Sequence, residues 1–185
     1  MRVIAGKFKS RRLKTLAGER LRPTSDPLRE TLFNLLGARI VGSVFADCYA
    51  GSGAVGIEAL SRGAATVFFL ESHRPAAAII RGNLKSLGVF NGFEVLATDV
   101  IRGVGRLARR KLAFDLIFLD PPYAEQAELE QVLSYLGRGN ILQPEASVIA
   151  EHSKRARLPE DIGCLRRERT LRQGDSAFTF YRVAR

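Results

Sequence analysis

The sequence predicts an α/β domain with a mostly parallel sheet, and three features point to it. From Val44 onward, short apolar runs alternate with amphipathic segments, the pattern of a parallel sheet with helices on both faces. A glycine-rich turn, Ala50-Gly-Ser-Gly-Ala-Val-Gly, joins the first apolar run to the helix that follows it. The last two apolar runs are separated only by Arg172-Gln-Gly-Asp-Ser, which reads as the turn of a terminal antiparallel hairpin.

The elements follow in order. Residues 1–22 read as a basic β-hairpin arm, with short strands at Arg2–Ala5 and Arg12–Leu16 and a bend at Gly6. Residues 23–185 form the main domain. Asp26 is expected to cap a helix that starts at Pro27, carries Leu28, Leu32, Leu35 and Leu36 on one face and ends at Gly37. Strands are expected at Val44–Asp47, Thr66–Leu70, Glu94–Ala97, Phe114–Leu119 and Ser147–Glu151. Helices are expected at Ala54–Arg62, Arg74–Leu87 and Glu125–Leu136, and the closing hairpin at Cys164–Leu171 and Ala177–Val183.

Composition narrows the class. The chain has 185 residues, enough for one α/β domain and a small appendage. No window of roughly 18 apolar residues would span a membrane, and the first residues lack the apolar stretch of about 7–15 residues that a secretory signal needs. A cytoplasmic protein is expected. Cys48 and Cys164 form no CxxC pair, and two histidines, His73 and His152, give no zinc-site spacing, so no metal is expected. The net charge of +10 is unevenly spread: residues 1–40 hold ten Lys/Arg against three Asp/Glu, residues 41–150 ten against eleven, and residues 151–185 nine against five. A near-neutral middle between basic ends points to a polyanionic partner.

Gly51, Gly53 and Gly56 satisfy G-x-G-x-x-G, the dinucleotide fingerprint, and Glu71 ends the second strand where a ribose would lie. On glycines alone, a nicotinamide-dependent oxidoreductase is a fair reading. Asp47, four positions ahead of Gly51, opposes it, because a carboxylate repels a pyrophosphate and suits a cationic ligand. The span from Asp47 to Gly53 resembles motif I of the class I methyltransferases, which bind S-adenosylmethionine. The resemblance implies that Asp47, Tyr49, Ala50, Gly51, Ser52 and Gly53 bind that cofactor, Asp47 either directly or through water and backbone contacts. Glu71 would accept hydrogen bonds from both ribose hydroxyls, and Asp99 with Val100 would meet the adenine. Asp99 can equally be an ordinary helix cap.

After the fourth strand comes Asp120-Pro121-Pro122-Tyr123, which resembles motif IV of the amino methyltransferases acting on nucleic-acid bases. An exocyclic amine has its lone pair delocalised into the ring. Two acceptors on its N–H bonds favour a pyramidal, nucleophilic nitrogen. Asp120 supplies one through its carboxylate and Pro121 the other through its carbonyl, with both prolines fixing φ. Tyr123 can stack on the extracted base.

Beyond these motifs, Arg2-Val-Ile-Ala-Gly-Lys, Leu21-Arg-Pro-Thr-Ser-Asp, Arg29-Glu-Thr-Leu-Phe-Asn-Leu-Leu and Ala50–Ala64 occur in the order seen in the bacterial 16S ribosomal RNA guanine-N2 methyltransferases of the D type. The similarity covers essentially the whole chain. It implies a Rossmann-like domain with a seven-stranded sheet and an N-terminal β-hairpin, acting on a guanine of 16S RNA in the small subunit; a monomer is expected because no apolar stripe is left over. One departure is Pro27, where such proteins often carry Arg. Lys7, Lys9, Arg11 and Arg12 are expected to hold the RNA backbone, Arg22 and Thr24 to bind RNA near the active-site rim, and Arg29 to be a further RNA contact. The other readings are an adenine-N6 or cytosine-N4 methyltransferase, for which no segment reads a DNA major groove; a protein glutamine methyltransferase, which would more usually carry Asn at 120; and a non-catalytic RNA-binding module, which explains neither motif.

Overall fold

The computed structural model describes residues 1–16, 25–122 and 126–184. Its centre is an eight-stranded sheet comprising β1 (Val44–Cys48), β2 (Thr66–Leu70), β3 (Phe93–Leu96), β4 (Phe114–Leu119), β5 (Leu142–Ser153), β6 (Asp161–Ile162), β7 (Leu165–Gln173) and β8 (Ser176–Val183). Their order is β3-β2-β1-β4-β5-β8-β7-β6. The first five strands run parallel, and β8, β7 and β6 continue the sheet antiparallel. The expected seven strands are all present. The eighth, β6, has two residues at the sheet edge, too short for an apolar pattern to show.

Strand order reverses between β1 and β4, because β1 leads outward to β2 and β3 on one side while β4 and β5 lie on the other. The crevice beyond the carboxyl ends of β1 and β4 is therefore the place where such sheets bind ligands. Leu119 pairs with Cys48 of β1 and with Ala150 of β5, so the exits of these three strands lie side by side.

Helices cover both faces. One face buries Phe45, Val67, Phe69, Leu116 and Phe118 beneath α1 (Asp26–Leu36), α2 (Ala54–Ser61) and α3 (Arg74–Ser86). The other buries Ala46, Phe68, Leu70, Ile117 and Leu119 beneath α4 (Val100–Arg109) and α5 (Gln126–Leu136). Sequence reading missed α4. Its buried residues Val100, Val104 and Leu107 keep helical spacing, but Gly103 and Gly105 dilute the helical signal. The cap of α1 moves by one residue: the Ser25 hydroxyl accepts from Leu28 N–H, and Asp26 sits in the first turn, paired with Arg29 at 2.6 Å. β5 runs well beyond the expected Ser147–Glu151.

The arm differs from the expected hairpin. Its two strands reduce to one antiparallel bridge, Arg2 to Arg12, and Gly6–Phe8 forms a single 3-10 turn that Gly6 enters at φ +78°. With so few ladder bonds the arm is held by its docking. Val3 and Leu13 are buried in the core of the main domain. Glu58 of α2, fully buried, accepts from Ile4 N–H at 2.7 Å and Ala5 N–H at 3.0 Å, and also pairs with Arg62. Ser61 accepts from Phe8 N–H, and Asn83 of α3 bonds both N–H and C=O of Lys14.

Removing Glu58 would orphan two backbone donors and the Arg62 guanidinium. Glu58→Ala should cost on the order of 2–4 kcal/mol, read as a lower urea midpoint. A change below about 0.5 kcal/mol, the size typical of a surface substitution, would show that the arm does not depend on this clamp.

Candidate functional site

The site begins where β1 leaves the sheet. Tyr49, Gly51 and Gly53 all have positive φ (66°, 55° and 80°), which wraps the chain back before α2 starts. Ala50 N–H donates to Leu70 C=O of β2, and Gly53 N–H to Ala50 C=O. Gly56 lets α2 press onto the sheet, since a Cβ there would stand 2.3 Å from the Phe69 ring. At Gly51 a Cβ would meet nothing within 4 Å, so the outer side of the loop opens to a ligand.

Two buried carboxylates hold this loop. Asp47 accepts Gly56 N–H at 2.8 Å. Glu71 accepts Gly51 N–H and His73 N–H, both at 2.7 Å. Burial pushes the Asp47 carboxyl up to about 7; the Gly56 bond opposes the shift and the charge of Glu71 adds to it. Asp47, only 2% exposed, fixes the start of α2 through Gly56, a backbone contact of the kind expected as one of its routes to the cofactor. Glu71 stands at the end of β2, as expected, already bonded to the loop.

Asp99 caps α4: it accepts Arg102 N–H and faces the Arg102 guanidinium at 3.4 Å. The cap reading therefore holds, and Val100 behind it is buried. Tyr49 donates its hydroxyl to Glu128 of α5 at 2.7 Å, a link the sequence did not disclose. Asp120 continues the β1–β4 rung, its N–H 3.4 Å from Cys48 C=O, which sets it beside the glycine loop at the switch point. Pro121 is buried and Pro122 exposed, while Tyr123 lies outside the described residues. Ser52 lies in the loop, where its carbonyl accepts from Asn83.

The expected RNA contacts divide. Lys7, Lys9, Arg11 and Arg12 are exposed. Phe8 next to the tip bonds Ser61 at the far end of α2, and Arg11 donates to Ser86 C=O at the end of α3. The tip therefore sits about one length of α2 from the glycine loop, roughly 12 Å at 1.5 Å per residue. Arg29 is not placed for the expected RNA contact. Its side chain is fully buried and donates to Asp26, to Arg2 C=O and to Ala54 C=O, so it joins α1 to the arm and to α2. Arg22 and Thr24 lie outside the described residues. Sequence reading also missed Asn83, 1% exposed, which links the arm at Lys14 to the glycine loop at Ser52. Its signal was a polar residue on the buried face of α3, three positions after Ile80. No group of three His, Cys, Asp or Glu among the described residues could hold a metal. No helix among them is long and apolar enough to cross a membrane.

Comparison with known proteins adds a second line. The family described as conserved hypothetical protein 95 matches residues 1–182. The chain is similar to the putative rRNA methyltransferase YlbH of Bacillus subtilis (strain 168), 37% identical over 182 residues and covering 98% of both chains. It is also similar to the ribosomal RNA small subunit methyltransferase D of Haemophilus influenzae, 38% identical over 154 residues, covering 83% of this chain and 79% of that one. Among solved structures, the putative methyltransferase yhhF from Escherichia coli matches with a TM-score of 0.83 at 32% identity, covering 100% of this chain and 98% of the other.

The Asp47 shift has a direct consequence. A free aspartate titrates near 3.9, so between about pH 4 and 7 the folded chain holds a proton that the unfolded chain has released. Stability should fall as pH rises through that window, by up to about 4 kcal/mol for this group. Asp47→Asn, which keeps an acceptor for Gly56, should flatten that part of the profile in chemical denaturation at pH 5 and 8. Parallel profiles for the two proteins would show that Asp47 is ionised throughout.

Proposed function

The chain belongs to the conserved hypothetical protein 95 family, whose similar members include ribosomal RNA small subunit methyltransferases D, and from that premise we propose that it transfers a methyl group from S-adenosylmethionine to the exocyclic N2 amine of a guanine in 16S ribosomal RNA. Methylation of ribosomal RNA is supported by the names of relatives covering most of the chain. The N2 amine of guanine is supported by Asp120-Pro-Pro-Tyr together with the N-terminal signature. The observation that carries the reading is position: Asp120 leaves β4 one rung from β1, beside a glycine loop underlain by two buried carboxylates.

The residues fit the cofactor. Open space beside Gly51 gives it room. Glu71 under the loop, joined by Asp47 once it ionises, favours an ammonium and a sulfonium and disfavours the pyrophosphate of a nicotinamide cofactor. Glu71, with two carboxylate oxygens each bonded to one backbone N–H, keeps lone pairs for ribose hydroxyls. When bound, S-adenosylmethionine supplies an electrophilic methyl carbon.

The chain's part is positioning. Asp120 accepts one N–H of the target amine and Pro121 C=O the other, so the nitrogen lone pair leaves conjugation with the ring. The fixed φ of the prolines holds the two acceptors at a set separation. Asp120 needs no special basicity, since the nitrogen becomes acidic as it gains the methyl group. Orientation of the amine supplies much of the rate enhancement.

The test uses small ribosomal subunits lacking the modification, a cofactor with a labelled methyl group, and digestion to nucleosides. Label is expected in N2-methylguanosine; label in N6-methyladenosine instead would overturn the substrate assignment. Asp120→Ala should lower turnover by on the order of 100-fold or more while S-adenosylhomocysteine still binds. Loss of binding as well would make Asp120 a structural residue of the loop.

A further inference from the structure

We propose that the corner formed by the exit of β5 and the β7–β8 turn is a second contact for the RNA backbone, carried by Arg155, Arg157 and Arg172; the inference rests on the RNA reading above. Residues 151–185 hold nine Lys/Arg and five Asp/Glu, and ion pairs sort them. Lys154 pairs with Asp175 at 2.9 Å, Arg166 with Asp161 at 3.1 Å, Arg167 with Glu160 at 2.7 Å and Arg182 with Glu168 at 3.0 Å. The remaining acid, Glu151, is buried. Every exposed carboxylate of this segment is thus matched to a cation. Arg169 is exposed and lies over the Phe180 ring at 4.6 Å. Arg155, Arg157 and Arg172 are exposed and have no ion-pair partner among the described residues. Among the described residues of the segment, these three and Arg169 carry the positive charge that no carboxylate pairs with.

Their placement gives that charge a use. Lys154 N–H donates to Asp175 C=O at 2.9 Å, which pins the loop leaving β5 to the β7–β8 turn and sets Arg155 and Arg172 at one corner. Arg172 stands in a row with Ala177 and His152, and His152 is the third residue from the level of Leu119, counting Ala150 as its partner. This is the end of the sheet from which Asp120 emerges. From Asp120 on β4 across β5 and β8 to β7 is three strand spacings, about 14 Å at about 4.8 Å each. At a rise of 3.4 Å per nucleotide that is the span of about four stacked nucleotides. The arm's cationic tip lies instead at the far end of α2. A strand threading its target base to Asp120 meets the corner close to the reacting nucleotide, and guanidinium groups suit phosphate oxygens there.

The experiment is steady-state kinetics on unmodified small subunits with the triple variant Arg155→Glu, Arg157→Glu, Arg172→Glu. KM for the subunit should rise at least about 10-fold, and the plot of log KM against log salt should become shallower by about 2, as loss of three phosphate contacts requires. The kcat at saturation, the melting temperature and S-adenosylhomocysteine binding should stay as in the wild type. An unchanged KM and salt slope, or a loss confined to kcat, overturns the inference. If the triple variant does not fold, Arg155→Glu and Arg172→Glu are measured singly; each should make the slope shallower by about 0.7, and no change in either overturns it. Wild-type protein that places no label on RNA overturns the RNA reading itself, whereas an active wild type with an equally active triple variant overturns only this corner.

Discussion

Two carboxylates buried under one loop organise the site. Asp47 on β1 bonds the first turn of α2 through Gly56 N–H, and Glu71 at the end of β2 bonds Gly51 N–H and His73 N–H. Withdrawing two like charges from water is unfavourable. Backbone donors at a helix start and in a tight turn compensate for it. The arrangement fixes where α2 begins and how far the loop stands above the strands. Asp120, one rung across from Cys48, inherits its place from the same β1 strand end. The cost left in the arrangement appears in the raised Asp47 carboxyl.

The N-terminal arm is part of this construction. Glu58, Ser61 and Asn83 are polar side chains turned inward from α2 and α3, and they satisfy backbone groups of the arm that a longer hairpin ladder would have paired internally. Asn83 reaches further and donates to Ser52 C=O in the glycine loop. Arg29 does the corresponding work from α1 by bonding Arg2 C=O. The arm and the cofactor loop therefore share supports, although the arm's cationic tip lies well away from the crevice.

Much of this was legible in the sequence where pattern and chemistry coincide. Strands β1, β2 and β4 are continuous apolar runs because both their faces are covered, and their bounds were found within a residue. The glycine loop and Asp120-Pro-Pro-Tyr sit at strand exits, where backbone geometry demands Gly and Pro. What was not legible depends on partners distant in sequence. Arg29 looks like a free cation until its three acceptors on other segments are seen. The bond from Gly56 N–H that holds Asp47 shows only once α2 is folded back onto β1. Asn83 and Glu58 look like surface residues until the arm folds over them. The short β6 and the glycine-diluted α4 lack the periodicity on which sequence reading relies.

A glycine loop with two carboxylates beneath it should admit a cationic, ribose-bearing cofactor and reject a pyrophosphate. Calorimetric titration of the wild-type protein with S-adenosylmethionine, S-adenosylhomocysteine and NAD tests it most directly. Saturable one-site binding of the first two, weakened by Glu71→Ala, and no binding of NAD are expected. Binding of NAD, with S-adenosylhomocysteine giving no heat and no competition, would contradict it.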